Sequence, residues 1–80
     1  MRKVSFRRVA ELGEKVKAED SIGWECVAPE KGLPYELQLQ HGAVFRTSPI
    51  KEIEKTETGV VIRTANSIYE VRYLHEKDQD

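Results

Sequence analysis

The chain has 80 residues, enough for one domain with a thin core, since a chain of this size buries roughly 60–65% of its unfolded surface. Thirteen basic and fourteen acidic side chains leave a net charge of -1, which excludes a strong overall field toward nucleic acid or an anionic membrane. Cys26 is the only cysteine, so there is no disulfide framework.

No apolar run approaches the ~18 residues that span a bilayer, and no apolar block follows Met1-Arg2-Lys3 to make a secretory signal. A cytoplasmic protein with no membrane contact is expected. A core this thin gains from a second copy of the chain, so a homodimer is one expected form.

Taken in chain order, "KVSFRRV" alternates, with Val4 and Phe6 on one side, and predicts a strand. Val9, Leu12 and Val16 then fall at helical spacing, but Gly13 interrupts them at a cost of ~1 kcal/mol against Ala. A strand followed by a loop or one irregular turn is preferred. "SIGWECVA" alternates again and predicts Trp24, Cys26 and Ala28 on the inner face, with Glu25 and Val27 outside. "PEKGLP" has loop composition.

In "PYELQLQ", Tyr35, Leu37 and Leu39 alternate with Glu36, Gln38 and Gln40, the period of a strand with one wet face. His41-Gly42 supplies a turn, and "AVFRTS" resumes the strand. Pro49 lacks a donor and belongs at an edge or bulge. Ile50 and Ile53 are three apart, the wrong parity for one face; a bulge near Pro49–Glu52 would restore it, and so would Ile50 covering the end of the barrel.

"KTETGV" predicts a hairpin turn with Gly59 in the left-handed conformation. Folding about Thr56–Gly59 sets Ile53 across from Ile62 and Glu52 across from Arg63, pairing apolar with apolar and opposite charges together. "VVIRT" and "SIYEVRY" are strands joined by a kink or tight turn at Asn66-Ser67. The sum is an all-β domain over residues 1–75, a small, partly open, SH3-like barrel of five or six antiparallel strands. A charged tail, 76–80, is expected to fray.

Arg-Thr, Ser and Ile recur in "RTSPI" and "RTANSI", and the hairpin folds the two copies together. Two readings of Thr47, Ser48, Thr64, Asn66, Ser67 and Tyr69 are open. In the structural one, short polar side chains bond main-chain groups that Pro49 and the turn leave unpaired. In the functional one, hydroxyls and an amide surround a ligand. The structural reading is favoured, because no strong nucleophile has a base beside it.

The same residues resemble a pattern in short uncharacterised bacterial and phage β proteins: Thr-Ser-Pro-(Ile/Val), a variable turn, then Thr-x-Asn-Ser-x-Tyr. Thr47, Ser48, Pro49 and Ile50 match its first part, and Thr64, Asn66, Ser67 and Tyr69 its second. The resemblance covers residues 42–74. It implies a bacterial or phage origin and a compact β domain, and it carries no activity.

No catalytic set is suggested. His41 sits in a turn and His75 in the charged tail, and Cys26 reads as a small core residue. A metal site would need His41, His75, Cys26 and a carboxylate to converge, and no spacing argues for that. Neither a metal, nor a cofactor, nor an enzyme is expected.

What remains is binding. Protein contact is the favoured mode, with Tyr35 and Tyr73 as amphipathic interface anchors. The runner-up is single-stranded nucleic acid, held by Arg2, Lys3, Arg7 and Arg8 with Phe6 among them.

Overall fold

The computed structural model describes residues 2–11, 14–15 and 19–74, with the side chains of Lys15 and His41 left out. The expected frayed tail, His75 and the apolar positions Leu12 and Val16 lie outside the described residues. Seven strands follow in order: β1 (Arg2–Glu11), β2 (Glu14–Lys15), β3 (Ser21–Glu25), β4 (Pro34–Leu39), β5 (Val44–Lys55), β6 (Gly59–Thr64) and β7 (Ser67–Tyr73). One 3₁₀ turn, Gln40–Gly42, joins β4 to β5.

The small all-β barrel expected from the sequence is what forms. Six strands make the ring in the order β1-β3-β4-β5-β6-β7, all antiparallel. The ring is closed where the expected barrel was partly open. β1 pairs with β3 through Arg2–Phe6, and with β7 from Val4↔Tyr73 to Glu11↔Ser67. Closure removes the unpaired edge that a six-stranded open sheet would present, and the small size fits an SH3-like barrel. β2 adds a short hairpin extension to the far end of β1.

The interior is filled by alternate residues of the ring: Val4 and Phe6 from β1, Tyr35 and Leu37 from β4, Ile50 from β5, Val60 and Ile62 from β6, and Val71 from β7. Burying each large side chain contributes about 1.5–3 kcal/mol, which is the main favourable term available to so short a chain. Phe6 stacks on Phe45 with centroids 5.3 Å apart, and Tyr69 meets Phe45 edge-on at 5.7 Å.

β5 is long because it serves two neighbours. Its first half pairs with β4, down to Pro34↔Pro49, and its second half pairs with β6. The expected register is found, with Ile53↔Ile62 and Glu52↔Arg63, and the last pair carries an ion contact of 3.7 Å. The expected bulge lies between Ile50 and Glu52 and lets both Ile50 and Ile53 turn toward the core.

Two expectations are corrected. In β3 the inward residues are Gly23 and Glu25, while Trp24 is half-buried and Cys26 and Ala28 are exposed. Parity is decided by the barrel, not by counting apolar residues along β3: Gly23 faces Val4 across β1, and a carboxylate with partners can stay inside.

Gly59 is not left-handed; among the described residues the positive-φ glycines are Gly32 and Gly42. Gly59 is needed for a different reason. It pairs with Arg72, and a Cβ there would lie 1.8 Å from the Val71 carbonyl oxygen. That neighbour is backbone of a ring strand and cannot swing aside. Gly59→Ala is therefore expected to cost about 3 kcal/mol or more, a fall of at least ~12 °C in thermal midpoint. An unchanged midpoint in a calorimetric melt would contradict the close approach.

Candidate functional site

The two Arg-Thr copies do come together, and their hydroxyls serve the main chain. Thr47 Oγ1 accepts the Tyr35 N–H at 3.0 Å and donates to the Ser48 carbonyl at 2.7 Å. It does so at the irregularity between Pro34 and Glu36, where β4 and β5 fall out of step and Tyr35 has no ladder partner on β5. Beyond Pro49 the main chain resumes: Ile50 donates to the Leu33 carbonyl and accepts from Gly32.

Thr64 Oγ1 does the equivalent at the β6–β7 turn. It accepts the N–H groups of Asn66 and Ser67 at 3.3 and 3.1 Å and donates to the Ser67 carbonyl at 3.3 Å. The threads are then joined by one side-chain bond, from Asn66 Nδ2 to Ser48 Oγ at 3.3 Å, at the surface. Ser67 is buried at the start of β7, and Tyr69 turns its ring into the aromatic cluster with Phe45. The arrangement can hold a bulge and a turn, and it places no base against a hydroxyl.

A second polar cluster was not read from the sequence. Glu25 is 5% exposed, and its Oε2 accepts hydrogen bonds from the Tyr35 and Tyr73 hydroxyls, each at 2.8 Å. One carboxylate oxygen thereby ties β3, β4 and β7 together. The Arg2 guanidinium lies 3.8 Å from the centroid of the Tyr73 ring, adding a cation–π contact at the same end of the barrel. The only signal for this cluster was that three residues 10 and 48 positions apart would have to meet, which β3's own alternation does not show.

The Tyr35 hydroxyl is pushed far above the ordinary tyrosine value, first by burial and then by its bond to Glu25. The Tyr73 hydroxyl is pushed up to about 12 by the same two causes. Ionising either would set a phenolate against a carboxylate.

The interface role expected for Tyr35 is therefore corrected: it is 1% exposed and belongs to the core. Tyr73 is half-buried, with its hydroxyl on Glu25. Of the basic residues expected to hold nucleic acid, Arg7 contacts Glu70 at 3.0 Å and Asp20 at 3.8 Å, and Arg8 contacts Glu11 at 3.4 Å. Phe6 is in the core. Arg2 sits over Tyr73, and Lys3 lies 6.0 Å from the Trp24 ring centroid.

Among the described residues no group of three or more His, Cys, Asp or Glu side chains is placed to hold a metal, and no helix is long and apolar enough to cross a membrane. No protein family, curated protein or solved structure matches the chain.

Two outcomes follow from the clusters. Thr47→Val leaves the Tyr35 N–H without an acceptor inside the barrel and is expected to cost about 1–3 kcal/mol, whereas Ser48→Ala, at the surface, stays within ~0.5 kcal/mol. Urea melts of the pair measure this, and equal losses would contradict the assignment.

The folded state holds the Tyr35 and Tyr73 protons more tightly than the unfolded chain does. Their contribution is therefore complete below the unfolded value of about 10 and is lost as pH rises from there through about 12. Urea midpoints should fall over that alkaline range, less steeply in Tyr73→Phe than in the parent. A slope that the substitution leaves unchanged would contradict the bond to Glu25.

Proposed function

We propose that the protein is a non-enzymatic binding module that engages a protein partner through the β3–β4 loop. The observation that carries this reading is a pair of large apolar side chains, Val27 and Leu33, 60% and 50% exposed on that loop. The Leu33 end of the loop is held by main-chain bonds, two of them to β5. Leu33 donates to the Glu30 carbonyl at 3.1 Å, Gly32 donates to the Ile50 carbonyl at 2.8 Å, and Ile50 donates back to the Leu33 carbonyl at 2.9 Å. Apolar groups presented on a pinned segment lose less freedom on docking than those on a loose one.

The non-enzymatic part rests on the hydroxyls of Thr47 and Thr64 being occupied by main-chain groups. We place the module in the cytoplasm, docking on another protein or on a second copy of itself; a bacterial or phage origin rests on the Thr-Ser-Pro and Thr-x-Asn-Ser-x-Tyr pattern alone.

The test compares the parent with the double variant Val27→Asp/Leu33→Asp. Both side chains are exposed, so the melting midpoint should stay within a few degrees. Affinity capture from the source lysate should yield a defined protein with the parent and lose it with the variant, and sedimentation of the purified chain reports self-association. Identical captured proteins and identical sedimentation for the two would overturn the reading.

A further inference from the structure

We propose that the outer face of β3, β1 and β7 binds single-stranded nucleic acid, with Trp24 stacking a base and Lys3 and Arg72 contacting phosphates. This goes beyond the protein-docking reading and uses none of the same residues. The starting point is the inward turn of Glu25, which sends Trp24 outward. The register then sets Gln38, Trp24 and Lys3 side by side across β4, β3 and β1. The adjacent row runs Ile22, Ser5, Arg72, Gly59 across β3, β1, β7 and β6. Neither row contains a carboxylate.

The row beyond is different: Arg7 is opposite Glu70, and Glu70 is opposite Val61, which faces Glu54. Charge on the barrel is thus sorted. Arg7, Arg8, Arg46 and Arg63 each have a carboxylate partner. Lys3 and Arg72 have none within 4.0 Å among the described residues, nor do Lys31, Lys51 and Lys55, which lie on the β3–β4 loop and β5. Lys3 and Arg72 share the outer face, Arg72 lying opposite Ser5, two residues along β1 from Lys3. Arg2 and Arg72 also line a shared groove of about 610 Å³, together with Thr58, Tyr73 and Leu74, in which Glu57 is the one acidic wall.

An anion is the complementary occupant. The half-buried indole beside Lys3 selects among anions, because a flat ring next to a cation offers a stacking platform to an unpaired base. A duplex keeps its base faces stacked on one another and cannot use that platform, and a polyglutamate chain has no ring to place there.

Trp24 is the sole tryptophan, so its emission reports on the site directly. Titration of the whole chain with a short oligothymidylate or oligouridylate at low salt should quench that emission. Two phosphate contacts on a single strand predict log K falling against log salt with a slope of about −1.4. Arg72→Gln should keep the parent's melt and make that slope shallower by about 0.7. Lys3→Gln should do the same, and the two guard against one variant failing to fold. Trp24→Phe, followed by anisotropy of a labelled oligonucleotide, should weaken binding about tenfold while leaving the salt slope unchanged.

No quenching at low salt would overturn the proposal. So would equal affinity for a duplex of the same length or for polyglutamate, or a salt slope indifferent to Arg72→Gln and Lys3→Gln.

Discussion

A carboxylate inside the barrel constrains everything around it. Glu25 cannot be left bare in an apolar interior, because an unpaired buried charge costs several kcal/mol even after relaxation. Two tyrosine hydroxyls meet that demand, and they come from strands that flank β3 at different distances around the ring. Tyr35 is on β4, its direct neighbour, while Tyr73 is on β7, reached across β1. The carboxylate therefore links three strands of a ring in which the β3–β4 seam is the shortest, with only three paired positions.

With Glu25 inside, strand parity does the rest. Gly23 also faces in, where a Cβ would come within 3.2 Å of Leu39 Cδ2 and 3.3 Å of the Gln38 carbonyl oxygen, so its missing side chain lets β3 and β4 lie close. Trp24 and Ile22 face out. The outer surface of β1–β3 thus acquires an indole beside Lys3 as a consequence of how the interior is satisfied. The same accounting explains the repeated Arg-Thr. Thr47 and Thr64 occupy two of the places where the ladder is interrupted, one at the β4–β5 irregularity near Pro49 and one at a two-residue turn, and each supplies both an acceptor and a donor. The repeat reflects two separate local needs, one at the β4–β5 irregularity and one at the β6–β7 turn.

What could be read from the chain beforehand follows from how many residues bear on each decision. The β5–β6 register was legible because two independent pairs, Ile53 with Ile62 and Glu52 with Arg63, agree on it, and the parity of Ile50 and Ile53 admitted the bulge that is found, though also an Ile50 at the barrel end. The facing of β4 was legible for the same reason: Tyr35 and Leu37 alternate with polar residues throughout.

β3 was not legible. Ile22, Trp24 and Cys26 make the more apolar side, and hydrophobicity alone chooses them for the interior. The choice is reversed by tyrosines far along the chain, whose hydroxyls no local pattern reveals. Gly59 was read as a turn residue because glycine next to a hairpin usually is one, while its actual constraint comes from the backbone of β7. Tyr35 shows a mixed case: its strand and its inward direction were readable, but its hydroxyl partner was not, so an interface role looked available to it.

The most direct measurement of this account is a double-mutant cycle in urea with Glu25→Gln, Tyr73→Phe and the two combined. If one carboxylate oxygen holds both hydroxyls, the substitutions are coupled, and the combined loss should differ from the sum of the single losses by about 1 kcal/mol or more. Single losses that add to within ~0.3 kcal/mol would mean that Glu25 and Tyr73 do not meet, and the inward facing of β3 would fall with them.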